Sequence, residues 1–357
     1  VKCSKSPIAY KSKLKRTWRR LALECKTLSD ICLRICSGGT PKRSCREYYD
    51  GGTIPWLNTA EVNFNRIRST ASHITEQGLD NSSTRWVPKD TVIVAMYGAT
   101  AGRVAIAGIP LTTNQACCNL VIDCALADPK YVYYWLKNRH CEIAGLANGG
   151  AQQNLSVRVL KEVEIVLPAL SVQHAVADYL AVLDEKIELN SRINDHLLEM
   201  ALSEYKELSR QSSSKRTLQD CTSLLCRGGA PKYCEKGKFH ALNQRCIRNH
   251  KIDDANARRI ENPRSREKLL RYGDILICST GTGTLGRSAQ VLCHDERVTV
   301  DSHVTIVRPA YEALVEYLGC WALSSEDQFE SMAKGSTGQT VLSIILRKFQ
   351  QATASRR

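Results

Sequence analysis

The feature that most limits what this chain can fold into is that it repeats itself once. The segment Ser37-Gly38-Gly39-Thr40-Pro41-Lys42 returns as Arg227-Gly228-Gly229-Ala230-Pro231-Lys232, an offset of 190 residues. Asp90, the apolar run Val92-Ile93-Val94 and Gly102-Arg103 return as Asp274, Ile275-Leu276-Ile277 and Gly286-Arg287, at an offset of 184 for the flanking residues and 183 for the run. A third block, Gly149-Gly150-Ala151-Gln152-Gln153-Asn154-Leu155-Ser156, answers to Gly335-Ser336-Thr337-Gly338-Gln339-Thr340-Val341-Leu342-Ser343 at an offset near 187. Three collinear matches with drifting offsets describe two divergent copies of one domain, with insertions between the shared elements. A length of 357 residues fits two domains at roughly 100–200 residues each.

Each copy reads as α+β, mostly extended with a few helices. Short apolar runs bounded by Gly, Asn, Asp and Pro predict strands at Val92 to Met96, Val104 to Ala107, Leu120 to Ile122, Asp274 to Cys278 and Val304 to Val307. Apolar residues at helical spacing predict one helix per copy, from Tyr131 to Ala147 and from Leu314 to Ala333. Between the copies the pattern changes. From Ser171 to Arg210 there is no Gly or Pro, and Leu180, Leu183, Ile187, Leu197, Ala201 and Leu208 step by threes, fours and heptad multiples. This predicts one long helix of coiled-coil type, roughly 60 Å long at about 1.5 Å per residue. The alternative is an amphipathic helix lying on its own domain. In the heptad frame Leu183, Ile187, Asn190, Asn194 and Leu197 form the pairing seam, and the two asparagines would fix register and partner at some cost in stability. The expected organisation is a basic extension over 1–26, a first domain over 27–168, the helix over 169–211, a second domain over 212–349 and a tail over 350–357.

Charge bears on the partner. Fifty Lys and Arg against 36 Asp and Glu leave a net +14, which favours a polyanion and says nothing about fold. The uncharged apolar stretch Thr91 to Gly102 has 12 residues, short of the roughly 20 a spanning helix needs. The first 26 residues carry nine Lys and Arg without an apolar signal core, so a reducing cytoplasm is the expected compartment. The 16 cysteines include no Cys-x-x-Cys, and Cys32, Cys118, Cys278 and Cys293 lie in apolar or strand-like runs where cysteine acts as a small buried hydrophobe. No metal site is expected.

Two motifs imitate catalytic or cofactor sites. Gly281-Thr282-Gly283-Thr284-Leu285-Gly286 matches the dinucleotide fingerprint and follows a predicted strand, with Asp301 twenty residues on. No helical stripe follows it, so no helix N-terminus awaits a pyrophosphate, and the loop reads instead as a strand-to-strand turn. Asp301-Ser302-His303 holds triad components, but neighbours along a strand point to opposite faces. No nucleophile, metalloprotease or phosphate-loop motif is present. The chain reads as a binder, not an enzyme.

At this point the residues resemble the specificity subunit of type I restriction-modification enzymes. The resemblance rests on Leu28-Ser29-Asp30-Ile31, Gly38-Gly39-Thr40-Pro41, Tyr48-Tyr49-Asp50-Gly51-Gly52-Thr53-Ile54-Pro55-Trp56-Leu57, Leu167-Pro168 to Gln173, and Leu183-Asp184-Glu185-Lys186-Ile187 in the first part. In the second it rests on Gly273-Asp274-Ile275-Leu276, Asp301-Ser302-His303 and Gly335-Ser336-Thr337-Gly338-Gln339. It implies two target recognition domains that each read half of a split, asymmetric duplex DNA sequence, separated by a long helix. It also implies methyltransferase subunits docked on the chain and, through them, restriction subunits. S-adenosylmethionine, ATP and Mg would then belong to those partners. A free-standing DNA-binding or regulatory protein outside any enzyme complex is the rival reading.

Phosphate contacts from Lys and Arg would supply most of the affinity, and amides, hydroxyls, Arg and His in the Gly-rich loops would supply base contacts. The expected DNA-binding residues of the first copy are Lys42, Tyr97, Arg103, Asn114, Gln115, Gln152, Gln153 and Asn154. Those of the second are Lys232, Arg287, Ser302, His303, Ser336, Thr337 and Gln339. In the family a second helical arm packs on the first. Carrying the offset forward places it just past Arg357, so it is expected to be missing, and the lone helix is expected to pair with another chain. The opening Val1 and the aperiodic tail from Gln350 fit the same expectation.

Overall fold

A computed structural model describes residues 23–147, 154–211, 216–281, 283–293 and 296–331. The chain divides into two compact units, Val1–Leu189 and Asn190–Arg357, with the boundary inside one helix, Leu170–Gln211.

The first unit contains, in chain order, β1 (Glu24–Thr27), β2 (Cys32–Ser37), β3 (Ile54–Leu57), β4 (Arg66–Ile67), β5 (Ser72–Ile74), β6 (Val92–Ala95), β7 (Val104–Ala107), β8 (Thr112–Thr113), β9 (Cys117–Ile122) and β10 (Glu164–Leu167). The main sheet has the order β2-β9-β6-β7-β4, and a smaller one the order β5-β3-β8. β1 pairs antiparallel with β10, bringing the two ends of the unit together. Strands β6 and β7 are apolar at every position because both faces of the sheet are covered. Val92, Val94 and Val104 pack with Val132 and Leu136 on one side, while Ile93, Ala95 and Ala105 pack with Leu57 and Val62 on the other. Leu28 and Ile31 are fully buried beneath the first of these layers, and each such side chain contributes about 1.5–3 kcal/mol of burial.

The second unit contains β11 (Thr222–Arg227), β12 (Phe239–Leu242), β13 (Ile247–Arg248), β14 (Lys251–Ile252), β15 (Arg258–Ile260), β16 (Ile275–Cys278), β17 (Ser288–Gln290), β18 (Val298–Val300) and β19 (Val304–Pro309). Its sheets run β11-β19-β16-β17, β15-β12-β18 and β13-β14; the first two repeat the order β2-β9-β6-β7 and β5-β3-β8, while the place of β4 beside β7 has no paired strand in the second main sheet. The match extends to details. Both edge pairings carry an irregularity at the second position, between Cys32 and Arg34 and between Thr222 and Leu224. Both copies open on a reciprocal cap, Thr27 with Asp30 and Thr217 with Asp220, in which each side chain bonds the other's backbone N–H. Phe64 and His250, at φ 57° and 58°, turn the same left-handed corner before β4 and β14.

Three readings need correction. The predicted helix of each copy is broken into two, Pro129–Asn138 with His140–Gly145, and Val315–Ser324 with Glu326–Ser331. The breaks fall at Arg139 and Ser325, both outside helical geometry at ψ 15° and 9°. Asp90 is not the counterpart of Asp274. The amides of Asp90 and Gly273 donate to Ala107 and Val291 at 2.8 and 2.9 Å, and those same residues donate back to the carbonyls of Thr91 and Asp274. Asp90 therefore answers to Gly273, both at positive φ, and Thr91 to Asp274. Cys293 is exposed, whereas Cys118 and Cys278 are fully buried and Cys32 is half-buried. Burial pushes the thiols of Cys32, Cys118 and Cys278 up to about 12, as apolar surroundings disfavour a thiolate.

The long helix has 42 residues, about 63 Å at 1.5 Å per residue. In the first unit it is held by its polar side. Gln173 accepts from the Asp128 amide at 3.0 Å and donates to the Pro168 carbonyl at 2.8 Å. Lys130 pairs with Asp178 at 3.1 Å, Lys137 with Asp184 at 3.3 Å, and Arg68 with Glu188 at 3.1 Å. In the second unit Tyr205 meets the Tyr317 ring edge-on at 5.1 Å, and Lys251 pairs with Asp195 at 2.7 Å. The apolar seam takes no part in either attachment. Leu183, Ile187 and Leu197 are 42, 67 and 57% exposed, and Asn190 and Asn194 are exposed between them. None of the described helices is long and apolar enough to cross a membrane. The second arm and the tail fall outside the described residues.

Candidate nucleic-acid interface

Strand direction gathers the predicted residues at one end of each main sheet. Because β2, β9, β6 and β7 pair antiparallel in turn, the end of β2, the start of β9, the end of β6 and the start of β7 lie along one edge of the sheet. The loop carrying Lys42, the turn of Asn114 and Gln115, the loop that begins at Tyr97, and Arg103 all leave from that edge. Asn154 joins them through a bridge to Tyr97. In the second unit the same edge carries Lys232, the turn of Ser302 and His303, and Arg287. Gln152, Gln153, Ser336, Thr337 and Gln339 lie outside the described residues.

The loops are locked by backbone. Gly38 and Gly39 donate to the carbonyls of Cys117 and Thr113 at 3.2 and 2.9 Å, and Gly228 donates to Val304 at 2.9 Å. A methyl on Gly38 would land on the Thr113 carbonyl, and one on Gly228 on the carbonyls of Asp301 and Val300. Only glycine lets the two chains approach this closely. Side chains finish the attachment. Trp56, buried, donates from its indole N–H to the Gly39 carbonyl at 3.0 Å, and Thr40 bonds Gln115. In the second copy Arg227 donates from Nε to the Ser302 carbonyl at 3.0 Å.

The backbone bonds also show which candidates are equivalent. Asn114 and Asp301 donate to Leu57 and Leu242 at 3.0 and 2.9 Å. Asn114 Oδ1 accepts from the Ala116 amide at 3.1 Å and Asp301 Oδ1 from the His303 amide at 2.8 Å. Asn114 is thus a turn cap, half-buried, with Gln115 matching Ser302 and Ala116 matching His303. Arg103 is half-buried and bonds Asn63 Oδ1 at 3.1 Å. Lys42, Gln115, Asn154, Lys232 and His303 are exposed, and Tyr97 is 43% exposed. Burial raises the Asp301 carboxyl, against the hydrogen bond from the His303 amide.

Both decoys resolve. The Gly281 loop joins antiparallel β16 to β17 and turns through positive φ at Gly281, Gly283 and Gly286. Asp301 to His303 form a turn rather than a strand, and the His303 ring meets Thr280 Oγ1 at 2.6 Å, not a catalytic partner. Among the described residues no group of three or more His, Cys, Asp or Glu is placed to hold a metal ion. Sequence reading passed over Trp56 and Arg227, which anchor these loops from strands, and Thr280, which does so from just past the end of β16. Their signal was positional, since Trp56 and Thr280 each fall within two residues of a strand end beside a Gly-rich loop.

Residues 22–199 match the family described as type I restriction modification DNA specificity domain. The chain belongs to that family. It is 32% identical over 186 residues to the type I restriction enzyme MjaIX specificity subunit of Methanocaldococcus jannaschii, covering 51% of this chain and 42% of that one. It is 26% identical over 180 residues to the EcoR124I/EcoR124II specificity subunit of Escherichia coli, covering 49% and 43%. The match thus spans about two fifths of each of these relatives. In fold it is similar to the crystal structure of a type I restriction-modification system S subunit from M. genitalium, at 20% identity and a TM-score of 0.50, covering 91% of this chain and 86% of that one.

Proposed function

We propose that this specificity-family chain recognises duplex DNA at two places, one half of a split asymmetric target at the loop-bearing sheet edge of each copy. The observation that carries this reading is that one fold is used twice, with the same Gly-Gly loop and the same capped turn at the same edge. The side chains offered there differ, Gln115 against Ser302 and Ala116 against His303, so the two halves of the target differ. Lys42, Arg103, Lys232 and Arg287 supply phosphate contacts, with the uncharged candidates beside them reading base edges. In this role the chain is a non-catalytic recognition subunit. Log-affinity for duplex DNA falls linearly with log salt at about −0.9 per phosphate contact, and deleting residues 218–357 removes preference for one half-site only. Salt-independent binding, or equal loss at both halves, would sink the reading.

The methyltransferase subunits dock on the same chain, and the exposed helix seam pairs with another helix. What supports the pairing is the apolar stripe of Leu183, Ile187 and Leu197 left on the surface. Sedimentation at rising protein concentration is expected to show self-association that Ile187→Asp abolishes. A strictly monomeric profile would remove self-pairing.

A further inference from the structure

The two copies use one pair of facing positions for opposite purposes. In the first unit Trp56 on β3 faces Ser72 on β5, and in the second Ala241 on β12 faces Arg258 on β15. Facing cross-strand residues point to the same side of a sheet. Trp56 turns inward, bonded to Gly39 and packed edge-on against Tyr49 at 5.8 Å. With alanine at that place the second copy has no such anchor, and the long side chain sits across the strand pair instead. Arg258 is exposed, and its guanidinium carbon lies 3.5 Å from the centre of the Tyr233 ring.

Tyr233 is itself fixed to the recognition edge. It follows Lys232 of the Gly-Gly loop directly in the chain and bridges Ile260 through its backbone. Asp301 caps the turn that presents Ser302 and His303, and bridges Gly229 of the Gly-Gly loop. The Gly-Gly loop is thus bridged to the cap at Gly229, and four residues on, it carries the ring on which the guanidinium lies. Among the described residues no carboxylate pairs with Arg258. A planar donor fork, exposed and stacked on one face, loses little conformational freedom when it meets a planar acceptor pair.

Resting on the DNA-recognition reading above, we propose that Arg258 is a specificity-determining residue of the second copy, oriented by Tyr233 to take the N7 and O6 acceptors of a guanine in the major groove. Guanine is the base whose major-groove edge offers two acceptors side by side, matching the spacing of a guanidinium fork. Ser72 occupies the equivalent place in the first copy, so this contact belongs to one half-site alone. The stretch from Arg245 to Arg271 carries nine Lys and Arg against four Asp and Glu, which brings the phosphate backbone to the same side. Those neighbours supply charge, and the stacked geometry is what sets Arg258 apart from them.

The test is selection by the full chain from a pool of duplex oligonucleotides randomised at their centre, followed by sequencing of the bound fraction. The wild type is expected to enrich two separated blocks. Arg258→Ala is expected to lose one G·C preference in one block, on the order of ten- to a hundredfold on matched duplexes, with the other block unchanged. Arg258→Lys, which keeps the charge without the fork, loses most of that preference as well. Tyr233→Phe keeps the stack and the preference, while Tyr233→Ala behaves as Arg258→Ala. Unaltered blocks in Arg258→Ala would overturn the proposal. So would uniform weakening with a salt slope reduced by about 1, the mark of a phosphate contact. A wild type that enriches no sequence would overturn the DNA-recognition reading, and the assignment of Arg258 with it.

Discussion

Arg308→Val alone lowers the stability of the second unit by about 3–5 kcal/mol, two to more than three orders of magnitude in its folding equilibrium. Arg308 and Asp274 form a buried pair, 8 and 0% exposed. Both guanidinium contacts to the carboxylate are 2.8 Å, and Arg308 also donates to the carbonyls of Glu267 and Leu269 at 3.0 and 2.8 Å. Removing the arginine strands a carboxylate in the core and leaves those carbonyls short of donors. The first copy shows what the slot tolerates. By strand register Val121 stands where Arg308 does, and by backbone bonding Thr91 stands where Asp274 does. The double variant Asp274→Thr with Arg308→Val is therefore expected to recover most of the loss. Amide hydrogen exchange in Ile275–Cys278 measures it, with Val92–Ala95 in the first unit as the unaffected control. A single variant that costs less than about 1 kcal/mol would mean that the pair behaves as an exposed one.

Gly228→Ala and Gly38→Ala have the largest expected effects on recognition, and on the proposed reading each is expected to act on a different half-site. Neither glycine has a positive φ; what matters is the carbonyl directly against the α-carbon. An added methyl meets backbone, which has no rotamer to yield, so the Gly-Gly loop separates from the capped turn. Overpacking of this kind costs about 1–3 kcal/mol. The larger consequence is geometric, because Lys232 and the Ser302–His303 turn lose their common frame in one variant, and Lys42 and Gln115 in the other. Binding to duplexes matched in only one half is expected to fall tenfold or more for the half read by the altered copy, and to stay within about twofold for the other. Equal losses on both halves would show that the two edges do not act separately.

The duplication, the long helix and most strands could be read from sequence because they rest on local chemistry: glycines at tight approaches, apolar runs at period two or none, and forty residues without a helix breaker. The broken helix of each copy was missed. Arg139 is an ordinary helix residue and nothing in the pattern marks it as a break point; Ser325, followed by Glu326, Asp327 and Gln328, fits an N-cap signature that reading the apolar spacing alone did not weigh. The Asp90 and Asp274 match failed for a related reason. Identical letters precede similar apolar runs, yet Thr91 stands between them in one copy only, and it is the ladder of backbone bonds that sets equivalence. Thr217-Leu218-Gln219-Asp220 repeats the cap of Thr27-Leu28-Ser29-Asp30 in plain view, and a search for capping pairs would have found this fourth point of repetition.

By itself, then, the sequence determined that one fold is used twice with a helix between, because residue type and spacing fix local backbone geometry. It also determined that the Gly-rich loops, with the amide, hydroxyl and basic residues beside them, are the ends of strands. Only the tertiary structure decided which of those residues stand together. Lys42, Gln115 and Tyr97, or Lys232, Arg287 and His303, are far apart along the chain and become neighbours through antiparallel pairing, whose register depends on contacts between distant segments. The same pairing assigned Asn114 and Asp301 to capping, and it set Arg258 opposite Ala241 in the second copy where Ser72 stands opposite the buried Trp56 in the first.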